Sequence, residues 1–192
     1  TLTVMLERWI RPVSMDAQGG LSVGSWGKGV MRIQSDGSAE KWLLPESGSG
    51  CPESFAPTGD PGQPHFSVVP SVLVREEATL FSWWKPSGAI TYGLGWWDGN
   101  EVKCQTVSGT GEPYTLFPDP FEENLIWTSH ALGVQKISLN DKLTSLTPQK
   151  NYPSGLLGAV TGMAIDSKGR KWVTGRGGIG VICDENGPEG IC

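Results

Sequence analysis

Much that would betray a function at sight is missing from this sequence. Only two histidines occur in 192 residues, and none of the four cysteines, Cys51, Cys104, Cys183 and Cys192, belongs to a C-x-x-C pair. The usual spacings of zinc and haem sites are therefore absent, and no metal or other cofactor is expected. No apolar run approaches the roughly 20 residues that a spanning helix needs, so no membrane insertion of that kind is expected. There is no G-x-S-x-G elbow, no H-E-x-x-H and no phosphate-cradling glycine loop. Helical periodicity of any length is missing too. Lysine and arginine number 15 against 20 acidic residues, a formal net charge of −5. That balance argues against nucleic acid as a partner, because such binding wants a basic surface.

What is abundant is turn chemistry, with 27 glycines and 14 prolines. It punctuates a repeat. Four segments, 21–33, 80–92, 125–137 and 171–183, each read as an apolar strand, a turn and a second apolar strand. Their starts lie 59, 45 and 46 residues apart (80−21, 125−80, 171−125). Periods of roughly 40–50 residues belong to propellers and solenoid arrays. Turn dipeptides follow each unit, Asp36-Gly37, Asp98-Gly99, Asn140-Asp141 and Asn186-Gly187, and further strand-like runs flank them. Each unit is thus four antiparallel strands, a to d, joined by hairpins. The fold predicted is an all-β propeller of about four four-stranded blades, at about 9–44, 66–107, 112–148 and 158–187. The last unit lacks a strand d, and the run at 1–8 has the phase to supply it. That phase allows a ring closed by the N-terminal strand or membership of a larger ring.

Three stretches carry family resemblances. Ala164-Ile-Asp-Ser-Lys-Gly-Arg-Lys-Trp-Val-Thr-Gly, and in looser form the run from Pro12 to Ile33, resemble the propeller repeats of two-component regulators, which fill periplasmic sensor regions of bacterial receptors. The run from Met31 to Pro45 is similar to repeats of streptogramin-lyase-like propellers. The first resemblance implies an extracellular or periplasmic binding domain. The second implies an enzyme, with His65 or His130 as its general base. The shared residues shape turns and fill blades, so they specify architecture more than activity.

In a propeller the b–c turns and d–a loops share one face, where ligands commonly sit. Alignment of the repeats puts Trp26, Lys85, His130 and Arg176 at equivalent b–c tips, with Lys28 beside them. Together with Trp84, a candidate for sugar stacking, they form the expected binding set, for an anionic or polyhydroxylated small molecule, a carbohydrate or another protein. The long loop at 45–65 and the segment 149–155, with Lys150, Asn151 and Tyr152, add to that face. Turn tips are also polar simply because they are solvated, and most of the nine tryptophans are expected to fill gaps between blades. Asp16 and Asp166 hold equivalent positions before strand b, where hairpin capping is expected rather than acid catalysis. Asp98, Asp119, Glu122 and Glu123 are acidic neighbours without the spacing of a calcium loop. The even cysteine count suits disulfides in an oxidising compartment, with Cys51–Cys104 and Cys183–Cys192 the favoured pairings and free thiols the alternative. The expected function is a non-catalytic, extracytoplasmic binding or interaction domain. An enzyme, or a docking module within an oligomer or larger complex, is the alternative.

Overall fold

A computed structural model describes residues 10–25, 29–37, 40–43, 51, 68–76, 78–85, 91–107, 111–140, 146–182 and 191. The expected strands at 1–8, Trp26, Lys28 and the Cys183–Cys192 pairing lie outside those residues, as does the side chain of Lys85. The chain is all-β, and its sheets are propeller blades. The first sheet holds β1 (Ile10–Met15), β2 (Leu21–Ser25), β3 (Val30–Ile33) and β4 (Glu40–Leu43) in that order. The second holds β5 (Val68–Val74), β6 (Thr79–Lys85), β7 (Thr91–Trp97) and β8 (Val102–Thr106), and the third β9 (Pro113–Pro118), β10 (Leu125–His130), β11 (Gly133–Leu139) and β12 (Leu146–Pro153). The fourth holds β13 (Val160–Ile165), β14 (Lys171–Gly175) and β15 (Gly178–Val181). All pairings are between sequence neighbours and antiparallel. Beyond β15, Ile182 makes a single bridge with Ile191.

Two compact units divide the chain, 1–106 and 107–192. Within the first, the core lies between the two sheets: Val30 and Leu43 from one meet Val69, Val72, Phe81, Trp83 and Val102 from the other. Within the second, Leu125, Trp127, Val134 and Tyr152 meet Val160, Met163, Val173 and Ile182. Interior strands bury both faces, as all six residues of β10 do. Each large apolar side chain removed from water contributes about 2–3 kcal/mol.

The first strand of every sheet carries a register irregularity where it meets strand b: between Ile10 and Val13, Val68 and Ser71, opposite Ser129 and His130, and between Val160 and Gly162. Pro12 and Pro70 fall inside two of these, the place in a sheet where a missing N–H costs least. A disulfide joins Cys51 to Cys104 on β8 and ties the loop between the first two sheets to the second sheet. One segment differs from expectation. Residues 149–153, read from sequence as loop, belong to β12, and Tyr152 is buried against Trp127 with ring centroids 5.6 Å apart. The alternating pattern of the strand is obscured by prolines at 148 and 153.

Candidate functional site

At the a–b turns one device recurs. The N–H groups of Asp16, Arg75, Asp119 and Asp166 each donate to the carbonyl that closes the turn, on Gly20, Ala78, Leu125 and Arg170. Where the position is Asp, its Oδ1 accepts two backbone N–H groups: Gln18 and Gly20 on Asp16, Phe121 and Glu122 on Asp119, Lys168 and Arg170 on Asp166. The second carboxylate oxygen then takes a side chain. Asp119 Oδ2 accepts from the Trp127 indole at 2.8 Å and Asp166 Oδ2 from the Trp172 indole at 3.1 Å. In the first sheet Ser22 replaces that tryptophan, and the Arg32 guanidinium binds Asp16 instead. The Trp172 indole, followed by the Arg170 N–H and guanidinium and the Lys168 N–H, holds the Asp166 carboxyl well below its usual range. Burial pushes Asp119 up, but Trp127, the N–H groups of Phe121 and Glu122, and Lys171 outweigh it and leave its pKa lowered. These aspartates therefore serve as hairpin clasps, each with both oxygens engaged.

Of the residues nominated from sequence, Trp84, His130 and Arg176 are described with their side chains. Arg176 is exposed on the β14–β15 turn. In the same unit, near the start of β9, the Tyr114 hydroxyl donates to Glu112 Oε2 at 3.1 Å. Burial, then Glu112, raises the Tyr114 pKa, and the positive charge of Arg176 opposes that rise. Arg176, Tyr114 and Glu112 therefore share one electrostatic neighbourhood, which sequence reading missed because Tyr114 and Glu112 sit on no repeated motif. His130 ends β10 but is only 2% exposed, and its Nδ1 accepts the Leu132 N–H at 3.2 Å, which braces the β10–β11 turn. Trp84 is half-buried on β6, in the other unit, where the Lys85 backbone continues the same strand. A cavity of about 470 Å³ lies on the a–b/c–d face of the first unit.

No protein-family model and no curated protein matches this chain. Solved structures do. A gluconolactonase of Xanthomonas campestris superposes with a TM-score of 0.63 at 15% identity, over 90% of this chain and 58% of that one. The extracellular domain of a Bacteroides thetaiotaomicron protein, BT4673, assigned as a one-component system, gives 0.62 at 11% identity, over 97% of this chain and 22% of that one. A luciferin-regenerating enzyme gives 0.63 at 14%, over 95% and 60%. At such identities the likeness establishes the propeller fold, and this chain spans only part of each of those molecules.

Proposed function

We propose that this chain is part of an extracytoplasmic propeller that binds a ligand or a protein without transforming it, in the manner of a sensor domain. The Cys51–Cys104 disulfide carries the reading. Such bonds persist in oxidising compartments and are rare in a reducing cytosol. The likeness to extracellular sensor domains over 97% of the chain supports the same placement. The binding surface in this reading is the b–c/d–a face, with Trp26, Lys28, Trp84, Lys85 and Arg176 as its residues and a carbohydrate or an anion as its ligand, while buried His130 serves only to brace its turn. Arg176 is exposed and supplies donors, and the Tyr114 hydroxyl, which its charge influences, donates to Glu112. Calorimetric titration with sugars and small carboxylates tests this: Lys85→Ala with Arg176→Ala weakens the strongest ligand by about tenfold, in keeping with loss of charged hydrogen bonds. An unchanged affinity would rule the face out.

The likeness to a gluconolactonase favours a second reading, a propeller hydrolase or lyase. It requires turnover of gluconolactone or a related ester by the purified chain, lost in a His65→Ala/His130→Ala variant. Full activity in that variant removes the histidines from any such role.

A further inference from the structure

Two pairs of sheets in this chain are built on one plan, and one joint is filled where the other is hollow. In the second unit Trp127 is fully buried and Lys171 is 7% exposed. The Lys171 ammonium lies 4.0 Å from Asp119 Oδ2 and 5.3 Å from the centre of the Trp127 ring, over its face. These three groups plug the a–b/c–d end of the joint between the third and fourth sheets. The turn hydrogen bonds identify their counterparts in the first unit. Asp16 to Gly20 corresponds to Asp119 to Leu125, and Arg75 to Ala78 corresponds to Asp166 to Arg170. Counting from those anchors, Ser22 stands at the place of Trp127 and Thr79 at the place of Lys171. Two long side chains are exchanged for two short ones, and the 470 Å³ cavity opens beside Thr79.

The wall of that cavity is part polar and part apolar, and its charges are nearly balanced. It carries the carboxylates of Asp16, Glu76 and Asp98 and the guanidiniums of Arg32 and Arg75, with the Gln34 amide between them in chemistry. Arg32 is doubly fixed, by the Asp16 carboxylate and by the Trp97 ring, whose centroid lies 5.3 Å from its guanidinium carbon. The Asp98 carboxylate is fixed by the N–H groups of Asn100 and Glu101 at 2.9 and 3.0 Å.

We propose that this cleft is a binding site for a small neutral polyhydroxylated ligand, a mono- or disaccharide. Its volume falls within the roughly 300–1,000 Å³ typical of small-molecule sites. A multiply charged anion entering it would face three carboxylates, and a polyamine two guanidiniums. A sugar hydroxyl donates one hydrogen bond and accepts two, so mixed planar donors and acceptors satisfy it. Arg32 covers Trp97, so the ring is a wall rather than a stacking platform, and hydrogen bonds carry the affinity. The site is separate from the b–c/d–a face.

Calorimetry and ligand-observed NMR with glucose, galactose, maltose and cellobiose, each against citrate and spermidine, test the assignment. Saturable binding of at least one sugar is expected. Thr79→Lys, which rebuilds the Lys171 plug, and Gln34→Ala should each weaken it by about five- to tenfold or more, while Lys168→Ala, on an exposed turn of the second unit, leaves it unchanged. Should Thr79→Lys not fold, Gln34→Ala and Arg75→Ala decide in its place. The proposal is overturned by an absence of sugar binding at millimolar concentration or by preference for citrate or spermidine. Wild-type affinity in the cleft variants overturns it as well, and so does an affinity lost only in Arg176→Ala, which would place the sugar on the other face.

Discussion

A single aspartate per hairpin does several jobs in this molecule, and Asp119 does the most. It caps a turn through two N–H groups, accepts the Trp127 indole and faces the buried ammonium of Lys171. Asp119→Ala leaves that ammonium uncompensated, so a loss of about 3–5 kcal/mol is expected in urea unfolding. Trp127→Phe keeps the ring and removes only the N–H, so about 1–3 kcal/mol is expected. Acid should act through the same group. Because its folded pKa is lowered from 3.8, its contribution is complete above that value and is lost as pH falls through the lower, folded one. Stability of the second unit should therefore drop below about pH 4, and the drop should be shallower in Asp119→Ala. The capping role of Asp16 and Asp166 was legible in sequence because each precedes its strand by the same turn. Asp119 was not, because its turn closes on Leu125, two residues later than the four-residue spacing of the others.

At the scale of elements, strand spacing leaves no room at certain glycines. A Cβ on Gly93 of β7 would lie 2.1 Å from the Gln105 carbonyl oxygen and 2.7 Å from the Trp83 ring. Gly93→Ala is therefore expected to cost about 1–3 kcal/mol in thermal or urea unfolding, as overpacking does. Gly133, at φ +149, meets the Tyr152 carbonyl oxygen at 2.1 Å by the same construction and should be at least as intolerant. The order of strands within each sheet was readable, since hairpins leave little choice of neighbour. The extent of β12 was not. Its residues 147–149 are exposed, two of them polar, and its prolines mimic a loop, so only pairing with β11 reveals a strand.

For the molecule as a whole, the division into two units gives the disulfide a local effect. Cys51 and Cys104 both lie in the first unit, 53 residues apart. Reduction, or Cys51→Ser with Cys104→Ser, should lower the stability of that unit by about 2–4 kcal/mol through the freed loop. Differential scanning calorimetry should show its transition move while that of the second unit stays in place. The sequence by itself determined that the chain is a propeller of repeated hairpins, because turn residues and apolar runs are local signals read at a fixed period. It also nominated the Cys51–Cys104 bond. Tertiary structure alone decided which joints between sheets are filled. Whether Trp127 and Lys171 plug a space, and whether a cavity opens beside Thr79, depends on side chains from different repeats meeting across a joint. It decided too that His130 turns inward, since burial is set by neighbours that lie far away along the chain.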